Sequence, residues 1–535
     1  MQKHLWALAL VMACGDSSAT PEEPSGATDA GPRTAQAEGG ASPVVPSDAS
    51  ATDATAAPSY PAPGAWPKNK GPGGPSEAFT ADKLYEKCAY LDGATGDTFD
   101  HHNLVTMLDG YLVMPWAPEW GGGGISFFDV SKPCAPTRVG AGESGEMRES
   151  HSIGFSHRAG RYAVVDGIGG TLVATKGGIQ FWDVSDVTAP KAVKLMELPG
   201  FLYPDAYARV TLSVFWQDPY VFVGGADNGL FVVDATDPKN PTLVNQTKFT
   251  PTMRVGQVQA IGNLLVVTTA ESPRTVLLDI SNPKAPQPIA GGDFLAREAA
   301  DGAPREAYFS NFANGYVFYA RKEAAGGLIV YDVRNPAAPL FAGVKPSDGN
   351  GGYVFVKDNL AFVGESSFAA IYDVSNLSAI TEVKRLTLTG DLDTMTPIGN
   401  VVVLSVDDKA DANKGSAIAP YQTDVDTKAP TVTWAWPSDG AKGLPRTSRL
   451  GFTTSEPVDS ASAWEGSVRL MKVTATGKER VPGTVSAQEN IVNFSPLNQL
   501  DASSTYVLEV PVGGLADFNG NAITQPFSLT FTTGQ

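Results

Sequence analysis

The residues best suited to chemistry are few and widely separated. Five histidines stand in 535 residues, and four of them lie between positions 101 and 157. Imidazoles beside carboxylates can bind a divalent metal, and arginines next to them can hold an anion. The set that fits this description is His102, Glu149, His151, Arg209, Arg254, Glu306 and Asp391, with Arg305 and Asp393 adjoining it. No two of its functional types occur at the spacing of a local catalytic motif. The sequence contains no Gly-x-Ser-x-Gly elbow, no His-Glu-x-x-His, no phosphate loop and no Cys-x-x-Cys pair. A site made from these residues must therefore be assembled from distant segments, so the elements that carry them decide whether they meet.

Those elements repeat. A short apolar run ending in Asp and followed by a Pro-containing turn occurs as FFDVSKPCAP, FWDVSDVTAP, VVDATDPKNP, LLDISNPKAP and VYDVRNPAAP, with IYDVSNLSAI as a weaker copy. The anchoring acids are Asp129, Asp183, Asp234, Asp279, Asp332 and Asp373, and in the first five copies a proline stands seven residues later, at Pro136, Pro190, Pro241, Pro286 and Pro339. A degenerate seventh copy, YQTDVDTKAP, has Thr423 in the Asp position and keeps Pro430. Anchors recur about every 49 residues, the size of a four-stranded propeller blade. The apolar run predicts a strand buried on both faces. Its Asp is placed to accept N–H bonds from the following turn, and the proline ends the strand ladder. Upstream of each anchor a second strand signal recurs, from LDGYLVM to IGNVVVL.

The pattern predicts an all-β protein, with a seven-bladed β-propeller over residues 79–428. The first strand of each blade lines a central channel, so residues at its start converge on one mouth. Aligning the repeats places His102, Glu149, His151, Arg209, Arg254, Glu306 and Asp391 there. If a divalent metal binds, His102 and His151 are its expected ligands; no other cofactor is implied. The plainer and heavier alternative is that these polar groups satisfy one another and ordered water.

The repeats resemble those of LVIVD-repeat proteins over about Thr98 to Pro430, a resemblance that implies the propeller and no particular activity. From residue 429 to 535 the anchor is gone and alternating strands take over: TVTWAWP, RLGFTT, SVRLMKV, NIVNFSP, TYVLEVP and FSLTFTT. The succession PSDGA, DFNGN and a closing FTTG resembles the bacterial Ig-like domain of S-layer proteins, which implies a β-sandwich. Asp517 to Asn521 is read as a turn rather than a calcium loop.

The N-terminus sets the expected compartment. Lys3 and His4 precede an apolar segment ending in Val11-Met12-Ala13-Cys14, which resembles a lipoprotein signal and its lipobox over residues 1–14 and implies lipidation of Cys14. An ordinary cleaved secretory signal is the alternative, and both imply export. Residues 15–78 are Ala, Pro, Ser, Thr and Gly with almost no large apolar side chains, so they predict a disordered tether. With Cys14 assigned to lipid, Cys88 and Cys134 remain, and either a disulfide or two separate buried thiols accommodates them.

A formal net charge of -18 argues against nucleic acid and against a basic lipid-binding patch, leaving the lipid anchor as the expected membrane contact. Trp116 and Trp120, beside Gly121 to Gly124, form a candidate surface contact for a sugar or protein partner, with packing of both rings over the blade as the heavier alternative. The reading that results is an exported, non-enzymatic scaffold at the cell envelope, with the outer membrane as its expected place and an envelope protein, surface protein or glycan as partner. The alternative is an exported metal-dependent enzyme with its site at the channel mouth.

Overall fold

The six aspartates that end the repeats all bind the turn that follows them. In the computed structural model each Oδ1 accepts the backbone N–H two residues on: Asp129 from Ser131 (2.9 Å), Asp183 from Ser185 (3.0 Å), Asp234 from Thr236 (3.1 Å), Asp279 from Ser281 (2.7 Å), Asp332 from Arg334 (3.0 Å) and Asp373 from Ser375 (2.9 Å). The structure describes residues 70–93, 100–101, 104–118, 122–148, 150–157, 161–171, 174–200, 210–322, 326–407 and 409–535. The predicted Cys14 anchor, and the tether up to residue 69, lie outside them.

Each repeat is one antiparallel sheet. Blade three is typical, with strands Ser213–Gln217, Tyr220–Gly224, Leu230–Asp234 and Thr242–Thr247 paired in sequence order. In the third strand Leu230, Phe231, Val232 and Val233 are all buried, because adjacent blades cover both faces of the sheet. The innermost strands are Thr106–Leu108, Ile153–Ser156, Ser213–Gln217, Val255–Ile261, Ala307–Ala313, Val354–Lys357 and Leu392–Ile398. From Ile153–Ser156 onward consecutive members of this series pack together and the last packs on the first, while blade one meets blade two through its later strands, so the seven sheets form a closed ring.

Closure uses a strand from outside the repeats. Blade seven supplies only Leu392–Ile398, Val401–Val406 and Ser416–Pro420; its outer strand is Ala89–Leu91, paired in the register Ala89 to Ile418 and Leu91 to Ser416. This explains the degenerate seventh copy. After Pro420 the chain does not turn back to add a strand, so no aspartate is needed at Thr423. Cys88 immediately precedes the closing strand, Cys134 lies in the turn of blade one, and the two are joined by a disulfide across the junction. The ordered body also begins before residue 79. Lys70 N donates to Asp109 Oδ1 at 3.0 Å, and Gly71 and Ser76 N–H groups bond Asp109 O and Ser131 O, so the last part of the predicted tether is held on blade one.

After Thr431 two sheets form a sandwich. One contains Val432–Trp436, Leu450–Thr454, Ile491–Pro496 and Gly483–Gln488 in that spatial order, and the other runs Ala441–Leu444, Phe527–Thr533, Thr505–Val510, Arg469–Thr474, Gly477–Val481. Leu450, Phe452, Leu470, Phe494, Leu508 and Phe531 form its core. The Asp517 turn is bonded as a turn, with Oδ1 accepting from Asn519 N (2.9 Å) and Asn521 N (2.8 Å).

The disulfide ties the strand that completes the ring to the first repeat. Replacing Cys88 and Cys134 with Ser is expected to lower the unfolding free energy of the full chain by about 2–4 kcal/mol, read from urea denaturation without reductant. A double variant with an unchanged midpoint would show that closure does not depend on the bond.

Candidate functional site

The inner strands begin at one mouth of the channel and end at the other, and the two mouths are built differently. At the first, His151 is buried, 3% exposed, and its ring Nδ1 lies 3.2 Å from Thr211 O and 3.6 Å from Asp166 Oδ2. Asp166 Oδ1 also accepts the N–H groups of His151 (3.2 Å) and Ser152 (2.5 Å). The histidine thus joins blade two to blade three. Tyr353, from blade six, reaches across and donates its hydroxyl to His151 O at 3.3 Å. Phe309 of blade five stacks on Tyr353 with centroids 3.9 Å apart, and Tyr308 meets Phe309 edge-on at 4.3 Å. Below them Ile153, Phe155, Phe355 and Met395 continue the same apolar cluster. The channel is therefore a packed core at this level.

Charged groups stand around this aromatic floor. Arg254 pairs with Glu271, whose other oxygen is 2.6 Å from Lys322 Nζ, and Lys322 lies 4.1 Å from the Tyr308 ring centroid. Glu306 is exposed, and its carbonyl accepts Lys322 N at 3.0 Å. Asp391 is half-buried, and its carbonyl accepts Asp407 N at 2.8 Å. Burial, followed by the negative charges of Asp407 and Asp391, pushes the Asp393 carboxyl well above the usual carboxylate range, while Lys322 and His151 act against this. His151 and Asp391 are thus close enough to Asp393 to act on its charge. His102, Glu149, Arg209 and Trp120 lie outside the described residues.

Trp116 is packed within blade one and is not a surface contact. It is 1% exposed, and its indole N–H donates to Ser126 Oγ at 3.0 Å. Trp116 pairs in register with Gly124, and a Cβ on that glycine would fall 2.6 Å from the ring, so the missing side chain provides the slot that the indole fills. The Trp-Gly composition serves packing within blade one.

At the opposite mouth the sandwich enters. The hairpin of Gly483–Gln488 and Ile491–Pro496 presents Gln488, Glu489 and Asn493 to the ends of the inner strands. Gln488 exchanges two bonds with blade three, accepting Trp216 N at 3.1 Å and donating to Val214 O at 2.8 Å. Asn493 does the same with blade four, through Gly262 N at 2.7 Å and Ala260 O at 2.8 Å. Asp459 accepts the N–H groups of Asp109 (3.0 Å) and Gly110 (3.2 Å) of blade one. These side chains satisfy the backbone groups left open where inner strands end. Glu489 Oε2 accepts from Gln259 Nε2 and Asn311 Nδ2, each at 2.6 Å. Between hairpin and channel remains a cavity of about 20 Å³, lined by Leu104, Phe155, Phe355, Thr396, Gln488 and Glu489, with room for about one water.

The same junction holds the one group of metal-ligand type found among the described residues: Asp426, Glu456 and Asp517, whose ligand atoms lie within 4.8 Å of one another. His151 is not part of it, and its centre is taken by the Lys357 ammonium, 2.7 Å from Asp426 Oδ2 and bonded to Glu456 Oε2. Of these residues only Asp517 was singled out from the sequence, as part of a turn. Lys357 and Glu456 each follow a strand-like run, where a polar residue reads as a turn, and only docking of the two domains places them together.

Burial pushes the carboxyls of Glu489 and Glu456 up to about 7, and that of Asp517 up to about 6. For an acid whose folded pKa is raised, stability is greatest below its ordinary pKa and declines as pH rises towards the folded value. Docking of the sandwich should therefore weaken between about pH 4.5 and 7, starting from the ordinary glutamate value. E489Q, which keeps the size and an acceptor, should flatten this decline in a thermal-unfolding series across that window. An identical slope in wild type and variant would remove Glu489 from the linkage.

The bacterial Ig-like domain family matches residues 426–533, and the LVIVD repeat matches residues 210–248 and 348–387, which are blades three and six. Curated protein sequences contain no match. Among solved structures the chain is similar to the computationally designed Ika8 protein, at 12% identity and a TM-score of 0.41, over 65% of this chain and 100% of that one. It is also similar to the Swd1 β-propeller domain of Myceliophteria thermophila (11%, TM-score 0.44, 62% and 98%) and to the periplasmic gluconolactonase of Pseudomonas aeruginosa (11%, TM-score 0.44, 60% and 88%). Identities of this size carry no information on ligand or activity. The chain is a protein of LVIVD repeats closed into a β-propeller and followed by a bacterial Ig-like domain.

Proposed function

We propose that the protein is an exported, non-enzymatic binding scaffold, held at the cell envelope through Cys14, that presents the open mouth of its propeller to an envelope or surface protein or a glycan. The observation that carries this reading is the Tyr353 hydroxyl on His151 O, which closes the channel just below the mouth. A catalytic pocket draws its power from depth and exclusion of water. Here the groups at the mouth stand on a floor of Phe309 and Tyr353, and the described part of the site favours shallow contact over enclosure. The Arg254, Glu271, Lys322 and Tyr308 assembly supplies what such a contact uses, charge beside an aromatic face. The Ig-like domain seals the other mouth and acts as the base on which the propeller is mounted.

The alternative, a metal-dependent enzyme with His102 and His151 as ligands, loses support at His151, whose Nδ1 faces Thr211 O and whose carboxylate neighbour holds two backbone N–H groups. Elemental analysis of the purified full chain separates the two readings. No stoichiometric transition metal is expected. A metal present at one per chain and lost in H151A would overturn the scaffold in favour of the enzyme.

Binding to immobilised envelope glycans and envelope proteins tests the surface itself. R254A and K322A should each weaken the interaction about tenfold, a loss on the scale of one charged contact. Binding unchanged in both would move the partner off this mouth.

A further inference from the structure

Lys357 is an unusual lysine. It ends the inner strand of blade six, its side chain is 5% exposed, and two carboxylates from separate parts of the chain converge on its nitrogen. Asp426 belongs to the segment joining propeller to sandwich, and its position is fixed on both sides. Its Oδ1 accepts Lys428 N at 3.0 Å, and its carbonyl accepts Asn521 Nδ2 at 2.9 Å. Glu456 follows the strand Leu450–Thr454 of the sandwich, where Thr454 Oγ1 donates to its carbonyl at 2.6 Å. Its side chain is 2% exposed; Oε2 binds Lys357, while Oε1 is buried without a hydrogen-bond partner.

An ion pair alone accounts poorly for this arrangement. Burying an ammonium and two carboxylates costs several kcal/mol per ion, which mutual attraction repays only when the remaining lone pairs are also satisfied. Glu456 Oε1 fails that condition. A buried acid with one oxygen on the lysine and the other unpartnered is placed to carry a proton rather than a charge. Burial, the largest influence on Glu456, moves its titration in the same direction.

We propose that Lys357 and Asp426 condense into an amide, with Glu456 as the proton carrier, so that the propeller becomes covalently joined to the segment entering the Ig-like domain. In this step the Lys357 ammonium passes a proton to the Asp426 carboxylate beside it, leaving a neutral amine and a neutral acid. Nζ attacks Cγ of Asp426, and the Nζ–Cγ bond forms. Glu456 protonates the departing oxygen and recovers a proton from Nζ as the Cγ–Oδ bond breaks. Two of the three ammonium protons leave with that oxygen as one water, the third stays on the amide nitrogen, and Glu456 ends as it began. Fixed reacting groups of this kind reach effective concentrations of about 10⁵–10⁸ M, which favours a condensation that dilute water opposes. A surface groove formed by Leu84, Gln422, Asp424, Asp426 and Lys428 gives the released water an exit. The product also removes two buried charges from the junction.

Tryptic digestion of the full chain with its disulfide reduced, followed by mass spectrometry, tests the proposal. Asp426 and Glu456 lie on different tryptic peptides, separated by cleavage at Lys428 and Arg449. The expected product is one branched peptide joining the Lys357 and Asp426 segments, lighter by one water than their sum, with the Lys357–Asp358 bond uncut because the lysine is acylated. E456Q should fold and show the two segments separate. Recovery of both peptides unlinked from the wild-type chain would overturn the proposal and leave an ordinary ion pair, whether or not any variant folds. A branch to the Glu456 peptide would overturn the choice of Asp426 as acyl donor.

Discussion

Closure of the ring is the constraint on which the rest of this structure depends. A blade whose third strand is apolar on both faces, as Leu230 to Val233 is, cannot be stable beside water, and it becomes stable only between two neighbours. Six repeats can satisfy each other in series, yet the first and last would still expose a face. The chain resolves this by returning Ala89–Leu91 from ahead of the first repeat to the edge of blade seven and bonding Cys88 to Cys134 beside it. Every residue said to meet at a mouth meets there because the series is circular.

The Ig-like domain belongs to the same problem. Where inner strands end, backbone groups face the channel without partners, and leaving them so would cost about 1–3 kcal/mol each. Gln488, Asn493 and Asp459 supply those partners from the sandwich. The domain therefore completes the propeller at one mouth instead of hanging from it as a spacer. Its docking buries carboxylates whose ionisation opposes burial, and Lys357 is the cation set against them. The two mouths are consequently built differently, and the sandwich covers one of them.

Much of the fold was legible because it rests on local rules repeated many times. Asp at the end of an apolar run, followed by a turn and a proline, specifies the third strand and its cap in each blade independently of what lies around it. The expectation that His151 and Asp391 share a mouth rests on the same reasoning, since equivalent positions in a ring face one channel. The sequence left Trp116 between packing and surface contact because its exposure depends on Gly124 across the strand pair, and a glycine run reads equally as a loop or as a slot for a ring. Glu489, Lys357 and Glu456 left no signal at all, because each stands at an ordinary strand end or turn and acquires its partners from another domain.

The sequence by itself determined the repeat, the blade, the count of blades and the change to a sandwich near residue 429, since these follow from periodic burial and from caps acting over a few residues. Tertiary structure decided how the ring closes, that the channel is packed rather than open, which mouth the sandwich covers, and which lysine lies among which acids. Those outcomes depend on residues far apart in the chain, from Lys357 with Asp426 at a separation of 69 to Tyr353 with His151 at 202 and Gln488 with Trp216 at 272. No local pattern encodes such pairs, because the energy that selects them is the desolvation and packing of surfaces that exist only once the sheets have assembled.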